Sequence, residues 1–382
     1  MRGRGGGGAW IGGVVIGTID TRGARSDRLA RWIRRRQKTA VAAGGVLDGR
    51  GAACERAETV TPSSWLTTRR RWLMGAGAAS IAGLVPQRTL ATGERVIDEA
   101  HSAYNHIVIA ESDDFRTMYF VVDGTYYIES RLDRRRPLGL DLDYTRTMMA
   151  GFLVQPEIKR LLMIGMGGGT LANYLFRQIP GLEVDAVDID PEVIRLARAH
   201  FEVPDDPRYR THAADGRVFV EEAGKDQRWD MVILDAFRGV FVPFHLKTRE
   251  YYATLLAHLE PHGVVVANLH NATPMYPHDR VTFDAVFPGG YAFLAESSRQ
   301  TSYVATASAR RLGAYELRAN AQRVRSRFAF DVMGLAARWY LGRDYDADAA
   351  VLRDDFPQGA TPKGAERHNE RCEGDDCPYR MK

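Results

Sequence analysis

Leu161–Asp190, LLMIGMGGGTLANYLFRQIPGLEVDAVDID, is the stretch on which the fold turns. The apolar run Leu161–Ile164, stopped by Gly165, reads as a parallel strand buried on both faces. Gly165, Gly167, Gly168 and Gly169 make a turn whose backbone can approach a ligand that a Cβ would keep away. An amphipathic helix follows. A second strand, Val184–Ile189, then delivers Asp188 about twenty residues after the turn, where an acid can accept hydrogen bonds from both ribose hydroxyls of a nucleoside. The strict G-x-G-x-x-G form is absent, because Thr170 follows Gly169. The unit as a whole nevertheless predicts a site for an adenosine-containing cofactor.

The segments downstream extend the pattern. Asp190-Pro191 reads as an N-cap with proline at the first helical position, opening a helix over Glu192–His200. A strand near Tyr209–Ala213 leads to the turn Asp215-Gly216. Trp229–Asp235 is another buried strand ending in an acid, followed by a helix over Thr248–Leu259 and a strand over Gly263–Leu269. Acids after successive strands (Asp188, Asp215, Asp235) suit ribose, adenine and substrate at the carboxyl edge of a parallel sheet. Nicotinamide dinucleotides would call for a second glycine-rich turn, which the sequence does not offer. S-adenosylmethionine or its decarboxylated form, which carry no phosphate, fit better.

These motifs resemble the spermidine synthase (polyamine aminopropyltransferase) family from about Ala103 to Tyr340. The likeness runs through Ser102–Ile107, Glu111-Ser112, the hairpin Phe120–Gly124, IGMGGGTL, VDIDPEVI, DPRYRTHAADGRVF, WDMVILDAF and LKTREYYATLLAHLEPHGVVVAN. The resemblance implies an α/β fold, a seven-stranded Rossmann-like methyltransferase sheet preceded by a small antiparallel β domain. By motif, it gives Asp188 the ribose, Asp215 the adenine and Gly165–Gly169 the methionine portion. Ile189 and Gly216 complete the nucleoside site, and Asp235 stands where donor and acceptor meet. Dimers or tetramers are a further family expectation.

The chain departs from the family at the acceptor side. Family members usually carry an acid inside the glycine loop (GGGDGG), where this chain has Gly168. The D-[ST]-[ST]-D run, whose last acid serves as base, reads here Asp235-Ala236-Phe237-Arg238. The hairpin glutamine aligns with Tyr127, and the acid of the YHEM-type element with Thr147. A polyamine is a di- or tri-cation whose pocket needs carboxylates to compensate its desolvation. The substitutions therefore predict less negative charge at the acceptor site, an easier fit for intact S-adenosylmethionine, and an acceptor other than ordinary putrescine. Asp235 is the retained candidate acid, with Tyr104, Tyr127 and His245 as candidate neighbours. The acceptor is a small-molecule amine or another nucleophile, and no metal is implied. Aminopropyl transfer, methyl transfer and a non-catalytic nucleoside-binding module all remain open from sequence.

Charge is unevenly distributed along the 382 residues. Residues 1–91 hold 16 of the 52 basic and 5 of the 48 acidic residues, leaving 36 basic and 43 acidic residues beyond. An acidic body argues against nucleic acid, which needs clustered Lys and Arg. Residues 1–67, rich in Gly and Arg, read as disordered. Residues 68–91, with Arg69-Arg70, a short apolar stretch and Thr89-Leu90-Ala91, resemble a twin-arginine export signal cleaved after Ala91. If that signal is used, the protein reaches the periplasm or cell envelope; otherwise it stays in the cytoplasm. Cys54 falls in the leader. Cys372 and Cys377 lack the further ligands of a zinc site, though after export they could close a small disulfide loop. No Ser–His–Asp order or HExxH motif occurs.

The expected organisation is a β-hairpin domain over 100–135, a nucleoside-binding domain over 136–310, a helical extension over 311–345 and a flexible tail over 346–382. Within it, alternation over His106–Ser130 around Asp123-Gly124 predicts a hairpin. Leu140–Val154 and Asp279–Phe287 predict helices, Tyr291–Ala295 and Ser302–Ala307 an antiparallel pair, and Ala314–Leu341 a helix pair.

Overall fold

The computed structural model describes residues 88–90, 92–237, 242–295, 300–340 and 344–355. The expected leader 1–67, residues 68–87 and Ala91 of the signal-like segment, Arg238, all three cysteines and residues 356–382 lie outside them.

Four antiparallel strands come first: β1 (Arg95–His101), β2 (His106–Glu111), β3 (Phe115–Val122) and β4 (Thr125–Asp133), paired in that order. Asp123 and Gly124 join β3 to β4 with φ of 49° and 75°. Two left-handed residues are what a two-residue hairpin turn of the right twist requires. The register slips once. Met118 faces Ser130 and Tyr119 faces Ile128, so Glu129 is the extra residue of a β-bulge.

The larger sheet has the order β12-β10-β11-β9-β8-β5-β6-β7. Strands β5 (Arg160–Ile164), β6 (Glu183–Asp188), β7 (Tyr209–Ala213), β8 (Trp229–Leu234) and β9 (Leu259–His270) are parallel neighbours, whereas β10 (Gly289–Leu294) and β11 (Gln300–Thr306) join antiparallel. Seven strands form the expected methyltransferase-like sheet. The two-residue β12 (Trp339–Tyr340) adds an eighth at the β10 edge.

Alternate residues of β5 feed two cores. Leu161 and Met163 join the one that also packs the small sheet, Leu162 and Ile164 the other. That is why β5 is apolar without interruption. The chain leaves β5 for β6 and β7 on one side, then returns to β8 on the other. The switch point therefore lies beyond the carboxyl end of β5, where such sheets open a ligand crevice.

The helices are α1 (Asp143–Met148), α2 (Gly151–Val154), α3 (Thr170–Gln178), α4 (Pro191–His200), α5 (Gly216–Glu221), α6 (Arg249–Ala257), α7 (Tyr276–Asp284), α8 (Ala314–Val324) and α9 (Val332–Ala336). The single helix expected over Leu140–Val154 is broken between α1 and α2. A Cβ on Gly151 would lie 2.6 Å from Val266 and 2.8 Å from Met231, so the chain is pressed against the sheet there. The helix pair expected over Ala314–Leu341 is reduced to α8, a 3-10 turn, α9 and β12. Among the described residues, no helix is long and apolar enough to cross a membrane.

The expectation of a loose tail fails over residues 346–355. Leu352 is fully buried beside Met275, its carbonyl accepts from the Arg249 amide, and its own amide donates to Thr282 Oγ1. Asp354 receives two hydrogen bonds from the Arg217 guanidinium. An apolar side chain in polar sequence was enough to anchor the segment. Leu352→Ala is expected to cost about 2 kcal/mol, at the low end for such truncations because the cluster is small. Urea unfolding checks this, and an unchanged midpoint would refute it.

Candidate active site

A cavity of about 350 Å³ opens at the switch point, walled on one side by β4 and on the other by the carboxyl ends of the parallel strands. Of the residues expected there, Gly165, Gly167, Asp188, Ile189, Asp215, Gly216, Asp235, Tyr127 and His245 line it. Gly168, Gly169 and Tyr104 do not. Tyr104 sits in the β1–β2 turn, its amide on Ser102 Oγ, and the adjacent Asn105 reaches the cavity instead.

Gly165 has φ of +84°, and a Cβ there would lie 2.5 Å from the Ala236 backbone. Only glycine lets β5 turn so close to the end of β8. Asp188 at the end of β6 holds the loop that follows. Its Oδ2 accepts from the amides of Met166 (3.0 Å) and Gly167 (3.1 Å), and its Oδ1 from that of Asp190 (3.1 Å). A carboxylate offers roughly four lone-pair sites, so these three bonds leave room for a ribose hydroxyl. Burial raises the Asp188 pKa to about 6 against the pull of those amides.

Gly168 has ordinary backbone angles but no space. Its amide donates to Ser130 Oγ at 2.8 Å, and a Cβ would lie 2.8 Å from both Ser130 Cβ and the Phe201 ring. The small sheet thus closes the position where the family carries an acid. Gly168→Asp is expected to lose about 2 kcal/mol of stability through overpacking and to gain no affinity for an aminated nucleoside. Thermal melting and calorimetry check this, and tighter binding would refute it.

Asp215 caps α5. Its Oδ1 accepts from the Arg217 and Val218 amides, and its Oδ2 lies 2.8 Å from His245 Nε2. Burial opposes ionisation of Asp215, but the His245 contact and the capping amides outweigh it and keep the pKa below the usual value. This pairing corrects the expected place of His245. Asp215 follows β7 and Asp235 follows β8, three strand spacings away, on the order of 14 Å. His245 therefore stands at the Asp215 end of the cavity rather than beside Asp235.

At Asp235, Oδ1 accepts from Asn268 Nδ2 at 2.8 Å and Oδ2 from the Tyr144 hydroxyl at 3.3 Å. Burial pushes its pKa to about 7, and the two hydrogen bonds hold it from rising further. Tyr144 itself is pushed well above its ordinary value by burial and by the nearby acids. A carboxyl poised near neutrality beside a substrate cavity can take a proton.

Tyr144, Asn268 and Glu129 escaped the sequence reading as site residues. Tyr144 lies on α1, three residues before Thr147, with no local signal that it reaches Asp235. Glu129 was hidden by the bulge, since regular alternation would turn a strand's consecutive residues to opposite faces. Here Tyr127, Ile128, Glu129 and Ser130 all border the cavity. Burial and the charges of Asp235 and Asp188 push the Glu129 pKa well above the carboxylate range. Glu129 thus adds an acid that the motif reading did not count. Glu129, Asp188, Asp215 and Asp235 line one cavity, with no Lys or Arg among the described lining residues.

Residues 143–297 match the model of the spermine/spermidine synthase domain. The polyamine aminopropyltransferase of Vibrio vulnificus is 31% identical over 270 residues, covering 68% of this chain and 89% of that protein. A probable spermidine synthase from Corynebacterium glutamicum superimposes with a TM-score of 0.53 at 18% identity, over 70% of this chain and 99% of the other. A spermidine synthase solved with the transition-state analogue AdoDATO gives 0.51 at 22%, over 65% and 86%. The two structures establish likeness of fold.

Proposed function

Since the chain belongs to the spermine/spermidine synthase family and its homologues are transferases, we propose that it transfers the aminopropyl group of decarboxylated S-adenosylmethionine to a small cationic amine. The observation that carries this reading is the cavity lining: four acidic side chains and, among the described residues, no Lys or Arg. Such a wall favours a polyamine and a donor that has lost its own carboxylate, because a bound cation offsets the ionisation of these crowded acids whereas an added anion opposes it.

Each residue has a role in this reading. Asp188 accepts from a ribose hydroxyl while holding the glycine loop against the donor. Asp215, steadied by His245, accepts from the adenine amino group. Asp235, aligned by Asn268 and Tyr144, takes a proton from the attacking ammonium. The freed nitrogen lone pair forms a bond to the propyl carbon next to sulfur. The C–S bond breaks with its electron pair staying on sulfur, which leaves neutral 5′-methylthioadenosine and a secondary ammonium. The proton passes from Asp235 to water. Orientation across the cavity supplies much of the acceleration, as in-line displacement requires.

The test is incubation with each donor form and a panel of diamines, followed by mass analysis of the acceptor. An aminopropyl adduct supports the proposal. Methyl addition from intact S-adenosylmethionine alone would replace it with a methyltransferase, and nucleoside binding without turnover would leave a binding module. Export is proposed separately, on residues 68–91; an intact leader recovered only from cytosol would refute it.

A further inference from the structure

Glu129 has no use in the scheme above, yet it is the acid that the fold takes most trouble to place. The bulge in β4 turns Glu129 and Ser130 toward the same cavity. Ser130 spends its hydroxyl on the Gly168 amide. Glu129 keeps a buried carboxyl oxygen, Oε1, with no hydrogen-bond partner. A buried, unmated carboxyl oxygen is costly and awaits a donor. The acids whose charges it feels are Asp235 and Asp188, one at the proposed reacting nitrogen and one at the ribose. A chain running from ribose to reaction centre passes between those two acids. The glycine loop can offer no acid of its own, since space at Gly168 is closed by Ser130 and Phe201.

We propose that Glu129 binds the primary ammonium of the donor's propylamine tail, so that the small sheet, through its bulge, selects the aminated donor. This rests on the aminopropyl-transfer reading and names the residue that enforces it. The ammonium would satisfy the unmated oxygen and offset the repulsion from Asp235 and Asp188. An added α-carboxylate, as in intact S-adenosylmethionine, would stand against the same acids.

Calorimetry on the full-length protein with two thioethers, whose sulfur is uncharged, isolates the ammonium. S-adenosyl-3-thiopropylamine keeps the amine, and 5′-methylthioadenosine lacks it. The wild type is expected to prefer the amine-bearing thioether by about 30-fold, in the range of one hydrogen bond to a charged group. Glu129→Gln should erase the preference while holding 5′-methylthioadenosine affinity within about twofold, which also shows that the variant folds. Glu129→Asp should recover part of it. A preference that survives in Glu129→Gln, or is absent from the wild type, overturns the assignment while the nucleoside site stands. Failure of the wild type to bind either thioether overturns both this and the donor reading.

Discussion

Asp235→Asn is expected to lower kcat for aminopropyl transfer by about a thousandfold, within the usual range for loss of a positioned base, and to leave nucleoside affinity within about twofold. Asparagine keeps the shape and the contact with Asn268 or Tyr144 but cannot accept a proton. With a pKa of about 7, Asp235 must be ionised to act. The wild-type rate should therefore climb about tenfold per pH unit below 7 and level off above it, and the variant should lose this limb. Stability moves the other way. A carboxyl whose folded pKa lies above its unfolded one contributes its stability in full below about pH 4, and the contribution disappears as pH rises through 7. Asp235→Asn should thus melt higher than the wild type at pH 8, with the two converging near pH 4. Steady-state kinetics and melting curves across pH test both halves. A variant with full turnover, or with a flat difference in melting temperature, would remove Asp235 from its role.

Asp188→Ala should abolish donor binding, with a loss of a hundredfold or more. A carboxylate bonded to a ribose hydroxyl represents up to about 3 kcal/mol, and the variant also releases the amides of Met166 and Gly167 that shape the loop. Calorimetry with 5′-methylthioadenosine gives the readout. The contrast with Asp235→Asn is diagnostic, since one variant should bind without turning over and the other should fail to bind. An Asp188→Ala protein with near-normal affinity would displace the nucleoside from the place given to it.

The parallel half of the fold was legible because its signals are local. An uninterrupted apolar run, glycines at the turn, an acid at each strand end and Asp190-Pro191 at a helix start each act within a few residues. The break between α1 and α2 was not legible; Gly151, which opens α2, lies close against Val266 and Met231, more than 75 residues away. Leu352 was misread for the same reason. Its partners Met275 and Thr282 are distant in the chain, and the composition around it is polar.

The candidate site divides along the same line. Sequence by itself determined the strand–turn–helix unit, the three acids after β6, β7 and β8, and the family to which the chain belongs, since strand ends and turns are encoded by neighbouring residues. Tertiary structure alone decided which acids share a cavity, that His245 stands with Asp215, that Ser130 and Phe201 close the space at Gly168, and that a bulge turns Glu129 inward. Those facts depend on how one sheet lies against the other and on a one-residue slip in pairing, neither of which leaves a periodic trace along the chain.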